Sequence, residues 1–194
     1  MRAMTPDAFM RSLTEQAIRK LIEQQDGIIR NWLEQQTGGL GMEFTMFPEA
    51  ADLVSAHNKL RVAEGMMPLR LDACLTTAAQ EHADWMQQTG QLTHYRGTII
   101  AKTIVDRVKE SGYAPISVGE NIAAGQTSVP QVMYSWRSSP GHYANILGDF
   151  TQVGVGRSGD FWCVIFGKPD ERVEQHPSAS QACSHPGPGG TSGD

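Results

Sequence analysis

The fold is decided by the stretch Asp72-Ala73-Cys74-Leu75-Thr76-Thr77-Ala78-Ala79-Gln80-Glu81-His82-Ala83-Asp84-Trp85-Met86, which has the pattern of one buried helix. Asp72 is a typical N-cap residue. One apolar stripe at helical spacing consists of Leu75, Ala78, Ala79, His82 and Met86. Gly90 favours the left-handed backbone that ends a helix. His94 follows just beyond this predicted helix end.

Helical patterns flank this stretch on both sides. Pro48 is expected to open a helix whose apolar residues keep helical spacing up to Gly65. A further helical piece is expected from about Thr98 to Glu110, before the break at Ser111-Gly112. The central helix is therefore predicted to have helical neighbours in the chain.

The second half of the domain changes from helical to strand patterning. Thr127 or Ser128 is expected to cap a helix with Pro130 in its first turn, and Pro140-Gly141 is expected to break that helix. From Thr151 onward, apolar residues alternate with glycine and then form a short apolar run that ends at position 166. This pattern predicts a β-hairpin.

Composition excludes several classes of partner. The 194 residues carry a net charge of −5 and contain no run of Lys or Arg, so we expect no nucleic-acid partner. No stretch approaches the roughly 18 apolar residues of a membrane span, so we expect no transmembrane segment. Positions 1–32 also lack the pattern of a signal peptide.

The chain is predicted to divide into three parts. Positions 1–47 form an N-terminal helical arm and linker, positions 48–168 form one domain, and positions 169–194 form a disordered Ser/Pro/Gly-rich tail. The arm is amphipathic, with Phe9, Leu13, Leu21, Ile29 and Trp32 on its apolar face. Such a face needs a covering surface, so we expect the arm to pack on the domain, to self-associate or to attach to a larger assembly.

The three cysteines leave two alternatives open. Cys74, Cys163 and Cys183 are too few for a disulfide framework, and none forms a C-x-x-C pair. Cys74 and Cys163 form either a single bridge or two small buried apolar side chains. Cys163, which lies in an apolar run, is expected to be chemically inert.

Three polar residues fall where no helix or strand pattern requires them. His94 follows a helix end, Glu120 lies in a glycine-flanked loop, and His142 follows a Pro-Gly break. Two imidazoles and a carboxylate suit a divalent metal or acid–base chemistry, although their spacing alone does not distinguish them from ordinary loop residues. His57 and His82 lie on apolar stripes and are expected to be buried and hydrogen-bonded.

The ordered set of local sequences resembles the CAP superfamily, which includes cysteine-rich secretory proteins, insect venom antigens and plant pathogenesis-related proteins. The similarity is to its bacterial branch. The segments that carry it are Ala56-His57-Asn58-Lys59-Leu60-Arg61, Met67-Pro68-Leu69-Arg70-Leu71-Asp72, Ala78-Ala79-Gln80-Glu81-His82-Ala83, Leu92-Thr93-His94, Gly119-Glu120-Asn121-Ile122-Ala123, Trp136-Arg137-Ser138-Ser139-Pro140-Gly141-His142, Asn145-Ile146-Leu147 and Val153-Gly154-Val155-Gly156 ahead of Phe161-Trp162.

The resemblance implies an α+β fold, a three-layer α-β-α sandwich with a small antiparallel sheet. It also implies a cleft with two histidines and two acidic residues, of which His94, Glu120 and His142 take three places. Ser139 stands where many members have the second acid. With fewer carboxylates, the expected metal, held by His94 and His142, is zinc rather than calcium or magnesium. Asn121 and Ser139 are expected to donate hydrogen bonds around the site.

Three functions follow as hypotheses. The first is a non-enzymatic binding module whose cleft holds a divalent metal and a lipid or cell-envelope ligand. The second is a metal-assisted hydrolase of a peptide, ester or cell-wall substrate, with Glu120 as general base. The third is a structural scaffold without ligand. The family resemblance implies an extracellular or cell-envelope location.

Overall fold

The computed structural model describes residues 47–97 and 101–170, together with Lys20, Glu23 and Arg172. The predicted arm and nearly all of the predicted tail lie outside the described residues. Within the two described ranges the elements are α1 (Ala50–Ala63), β1 (Arg70–Leu71), α2 (Ala73–Thr89), α3 (Ile104–Glu110), β2 (Pro115–Ala124), α4 (Val129–Arg137), α5 (Pro140–Ile146), β3 (Gln152–Ser158) and β4 (Phe161–Pro169). No helix among the described residues has the length and apolar character needed to cross a bilayer.

The four strands form one sheet in the order β1-β3-β4-β2. The predicted hairpin is confirmed, since β3 pairs antiparallel with β4, and β2 pairs antiparallel with the other edge of β4. The short strand β1 pairs parallel with β3, so the sheet is mixed rather than purely antiparallel. A parallel pair needs a long crossover, and here the chain from β1 to β3 supplies α2 through α5.

The sheet is buried between two helical layers, which confirms the predicted α+β sandwich. Successive residues of β4 alternate between two cores, as the strand period requires. Trp162, Val164 and Phe166 pack with residues of α1, α4 and α5 on one face. Cys163 and Ile165 pack with residues of α2 and α3 on the other face.

Helix α2 lies unusually close to β3. A Cβ atom on Gly154 would come within 2.1 Å of the backbone of Leu75, and one on Gly156 within 2.4 Å of the backbone of Ala79. These glycines therefore allow the helix to contact the sheet through backbone atoms. The predicted helix boundaries are confirmed: Asp72 Oδ1 accepts from the Leu75 amide at 2.9 Å, and Gly90 ends the helix at a φ of 66°.

Two local predictions were wrong, and a third was incomplete. Helix α3 begins at Ile104 rather than about Thr98, because Thr103 forms a capping box with Asp106 and Lys102 pairs with Arg96 in a β-bridge. Glu120 lies within β2 rather than in a loop, since β2 pairs with β4 continuously from Ser117 to Ala124. The predicted break before His142 is confirmed, since α4 ends at Arg137, but a further helix, α5, begins at Pro140 because proline is favoured in the first turn of a helix.

The structure tests the predictions for His57, His82 and the cysteines. His57 and His82 are buried, and each has one ring nitrogen hydrogen-bonded to a backbone carbonyl, as predicted. Cys163 is a buried free thiol. The bridge between Cys74 and Cys163 is therefore not formed. The other alternative is confirmed for Cys163 but was wrong for Cys74, which is half-buried and disulfide-bonded.

Candidate functional site

The centre of the site is the carboxylate of Glu120, whose side chain is only 3% exposed. Strand β2 places it opposite Ile165 of β4, facing the layer that contains α2 and α3. Its Oε1 accepts a hydrogen bond from His94 Nδ1 at 2.8 Å. Its Oε2 contacts Nη2 of Arg107 and, at 3.4 Å, the Sγ of Cys163. Both carboxylate oxygens therefore have partners inside the protein.

Arg107 was not among the predicted site residues. It lies on α3 with a side chain 2% exposed, and besides the Glu120 contact its Nη1 donates to the His94 carbonyl at 2.9 Å. One guanidinium thus binds both the acid and the backbone of the histidine. The available signal was a basic residue beside Val108 on a short helix, which also fits an ordinary solvated position.

The hydrogen bond from His94 defines which ring nitrogen remains available. Burial acts to raise the pKa of Glu120, but the His94 hydrogen bond and the Arg107 charge together hold that pKa below its ordinary value. The carboxylate is therefore ionised and can only accept. His94 Nδ1 must carry the hydrogen, so in the corresponding neutral tautomer the lone pair is on Nε2. The His94 side chain is 53% exposed, within reach of a ligand.

His142 lies on α5, where it is half-buried. Burial is the main cause that lowers the pKa of His142, and its proximity to His94 lowers that pKa further. The amide of Asn121 donates to the His142 carbonyl at 3.0 Å. The amide of Asn145 donates to the Glu120 carbonyl at 3.0 Å and to Asn121 Oδ1 at 2.9 Å. This amide network ties α5 to β2, and Asn145 was not among the predicted site residues.

Ser139 lies at the N-cap of α5 but makes no capping hydrogen bond with its side chain. Its backbone connects the two helices: its amide donates to the Trp136 carbonyl at 3.2 Å, and its carbonyl accepts from the Tyr143 amide at 2.8 Å. The structure thus brings His94 and Glu120 into direct contact, and connects Asn121 with His142. Ser139 is held at the junction of α4 and α5.

Beneath the His94 loop lies a second histidine, His82 of α2. Its Nε2 is hydrogen-bonded to the Thr93 carbonyl at 2.9 Å, and its ring stacks on Trp85 with centroids 5.9 Å apart. Consecutive carbonyls of the loop, those of Thr93 and His94, are therefore held by His82 and Arg107 respectively. These two hydrogen bonds hold the backbone of the His94 loop in place.

The predicted zinc site has fewer free ligands than zinc requires. Structural and catalytic zinc sites typically use three or four protein ligands. His94 Nε2 and His142 offer two imidazoles, whereas both oxygens of Glu120 are engaged. Within residues 47–97 and 101–170, no group of three or more His, Cys, Asp or Glu side chains is arranged to hold a metal ion. The described residues do not complete the donor set that such a site requires.

Comparison with known proteins identifies the class. The family model for CAP, the cysteine-rich secretory protein family, matches residues 54–166, so the chain belongs to this family. The uncharacterized protein YkwD of Bacillus subtilis (strain 168) is 34% identical over 117 residues, which are 59% of this chain and 45% of that protein. The chain thus spans less than half the length of this relative.

Solved structures show the same fold. An extracellular protein of Bacillus anthracis that contains an SCP domain superposes with a TM-score of 0.61 at 25% identity, covering 68% of this chain and 45% of that one. An outer surface protein of Borrelia burgdorferi superposes with a TM-score of 0.59 at 23% identity, covering 68% of this chain and 100% of that one.

Proposed function

We propose that this domain is a non-enzymatic binding module of the cell surface, and that its cleft accepts the hydroxyl-bearing headgroup of an envelope lipid. The single observation that carries the proposal is the difference between Glu120 and His94 in their contacts. Glu120 is fully used inside the protein, whereas the lone pair of His94 Nε2 is left for a ligand. A neutral imidazole with that lone pair accepts a hydrogen bond from a hydroxyl group.

The surroundings of His94 favour a ligand that also has an apolar part. Leu92 and Tyr95 lie in the same loop and are 52% and 57% exposed. Because the loop backbone is held by His82 and Arg107, these side chains are presented without a large ordering cost on binding. The net charge of −5 disfavours an anionic lipid surface, so an uncharged glycerol headgroup fits best.

The cell-surface location rests on the relatives. One matched structure is described as an extracellular protein and another as an outer surface protein. Both share the fold of this chain, and the first shares a quarter of its aligned sequence. We extend that location to this protein as part of the proposal.

The contacts of Glu120 argue against the hydrolase hypothesis. A general base needs a free oxygen within hydrogen-bond reach of the attacking water. Oε1 accepts from His94 and Oε2 is held by Arg107 and Cys163, in a side chain almost completely buried. Glu120 is therefore suited to orient His94 rather than to accept a proton.

The test is flotation with phosphatidylcholine vesicles prepared with and without dioleoylglycerol. We expect the protein to float only with the dioleoylglycerol vesicles. The double variant His94→Ala and His142→Ala should bind about tenfold more weakly, as loss of about 1.4 kcal/mol of hydrogen bonding implies. The matched control, His176→Ala and His185→Ala, removes two histidines of the predicted tail and should bind normally.

Two results would overturn the proposal. One is equal flotation with both kinds of vesicle; the other is unchanged binding by the cleft variant, provided that its thermal unfolding is cooperative. The scaffold hypothesis predicts no flotation at all. Self-association through positions 1–47 stays a separate prediction, which light scattering on the whole chain and on a chain starting near Met46 would test.

A further inference from the structure

Arg107 occupies the place beside Glu120 that a bound cation would need. Its guanidinium contacts Oε2 directly, while the His94 ring covers Oε1 at 2.8 Å. Both charged side chains are almost completely buried. A divalent ion approaching this carboxylate would have to displace either the guanidinium or the imidazole.

The charge balance of the cleft is therefore complete without any ion. A buried carboxylate is strongly unfavourable unless a positive partner compensates it. Arginine provides that charge at every physiological pH, because its guanidinium does not deprotonate in proteins. The charges of Glu120 and Arg107 compensate each other, and the imidazoles of His94 and His142 remain available to a ligand.

Helix α3 is built to hold the guanidinium in this position. Its N-terminus is fixed by the capping box of Thr103 and Asp106, and Val108 anchors the helix in the α2-side core. The second nitrogen, Nη1, binds the His94 carbonyl at 2.9 Å. The side chain is thus held at two points and is not free to swing away when a cation arrives.

We propose that Arg107 is the specificity-determining residue of the cleft, an internal cation that excludes divalent metal ions from Glu120 and leaves the His94 and His142 imidazoles to an uncharged ligand. The inference rests on the proposed function only in taking the same cleft as the binding site. Its chemistry predicts a gain of metal binding when the charge is removed.

The experiment is calorimetric titration of zinc chloride into the whole protein near pH 7. Arg107→Met removes the charge but keeps an unbranched side chain, which leaves Glu120 Oε2 without its internal cation and able to bind one from solution. We expect this variant to bind zinc at least about tenfold more tightly than the wild type. Arg107→Lys keeps a positive charge and should resemble the wild type.

Two controls separate the carboxylate from general charge effects. The double variant Arg107→Met and Glu120→Gln should return to wild-type zinc affinity, because the carboxylate that would bind the ion is gone. Lys109→Met removes an exposed positive charge from the same helix and should leave zinc affinity unchanged. A folded Arg107→Met protein that binds zinc no more tightly than the wild type would overturn the proposal.

A second measurement needs no variant and therefore does not depend on the folding of Arg107→Met. Substoichiometric Mn²⁺, which prefers carboxylates, broadens amide resonances near the carboxylate that binds it. We expect the amides of Glu120 and Asn121 to be broadened no more than that of Asp149, whose carboxylate is exposed. Selective broadening at Glu120 in the wild type would contradict the inference. Vesicle flotation tests the proposed function separately, so failure of either idea can be recognised.

Discussion

Two buried clusters of this domain each contain one arginine and one neutral histidine, and they differ in what compensates the arginine. In the Arg61 cluster, the guanidinium donates to the carbonyls of Met67, Ile146, Gly148 and Phe150 at 2.6–3.1 Å. In the Arg107 cluster, the guanidinium contacts the Glu120 carboxylate and one carbonyl. His57 accompanies the first arginine and His82 the second.

The difference separates a structural device from a functional one. The Arg61 guanidinium bridges α1 to the segment that runs from the end of α5 toward β3, and every acceptor is an uncharged backbone carbonyl. Burial lowers the pKa of Arg61, which shows that no strong counter-charge offsets its desolvation. Arg107 instead determines the charge of a side chain at the cleft. The four carbonyls bound by Arg61 hold the backbone in place, whereas the ion pair of Arg107 with Glu120 sets the charge at the cleft.

Loss of Arg61 should have the largest effect on stability. Arg61→Met removes a buried guanidinium that donates to four backbone carbonyls, so we expect the free energy of unfolding to fall by about 4 kcal/mol, or the domain not to fold. Urea denaturation followed by the fluorescence of the buried Trp136 and Trp162 measures this change. Arg70→Met, at an exposed position, is the matched control and should cost little. A loss similar to that of the control would refute the structural role.

Loss of Arg107 should cost somewhat less and should be partly reversible. Arg107→Met leaves the buried Glu120 charge uncompensated, at a cost of roughly 3 kcal/mol near pH 7. Adding Glu120→Gln removes that charge, so the double variant should be more stable than the single one. The same urea titration measures the coupling. No second substitution should rescue Arg61→Met in this way, and simple additivity at Arg107 and Glu120 would show that the pair is not energetically coupled.

Mild acid should weaken both clusters through their histidines. Burial is the main cause that lowers the pKa of His57 and of His82 from 6.5 to about 4, and the nearby arginine charge lowers each pKa further. Since the folded pKa values lie below the unfolded ones, this stability is fully present above pH 6.5 and is lost as the pH falls toward 4. Between pH 7 and pH 5.5 we expect a loss of about 2 kcal/mol.

Stronger acid should then distinguish the clusters. The pKa of Glu120 is below its ordinary value of 4.5, so its contribution is present above that pH and is lost as the pH falls further. Protonation breaks the contact with Arg107 but cannot affect the carbonyls around Arg61. Hydrogen exchange below pH 4.5 should therefore show protection lost first near His94 rather than near Gly148. Simultaneous loss in both regions would count against the comparison.

A smaller effect is expected for the hydrogen bond that holds the His94 loop. His82→Phe keeps an aromatic ring against Trp85 but removes the donor to the Thr93 carbonyl, at a cost of roughly 1 kcal/mol. Because the loop is loosened, vesicle binding should weaken together with stability. The matched variant His57→Phe loses a similar bond to the Leu53 carbonyl but should leave binding unchanged. Weaker binding by both variants would indicate a general loss of folding.

The smallest effect is expected for Asp149, whose negative charge acts to raise the pKa of Arg61. Its carboxylate is exposed and pairs with Lys168 at 2.6 Å, so Asp149→Asn should cost less than about 0.5 kcal/mol. Thermal unfolding at low and high salt measures this change. A loss comparable to that of Arg107→Met would mean that Arg61 also depends on a carboxylate, and the comparison would fail.

Much of the fold was predictable because its signals are local. The Asp72 cap, the Gly90 terminus and the hairpin after Thr151 each depend on residues close together in the chain. The candidate residues His94, Glu120 and His142 came from the family resemblance, since their spacing alone carried no distinguishing pattern. Their roles at the cleft stay predictions that the proposed experiments test.

The sequence by itself determined the family, the sandwich and the order of its main elements, because caps, periodicity and motifs are written in short segments. Only the tertiary structure decided that β1 pairs parallel with β3 and that Glu120 lies on a strand. It also decided that Arg107, 13 positions away in the chain, pairs with the carboxylate of Glu120. Counter-charges in a buried site are chosen by proximity in space, and neither helical nor strand periodicity records which arginine will meet which acid.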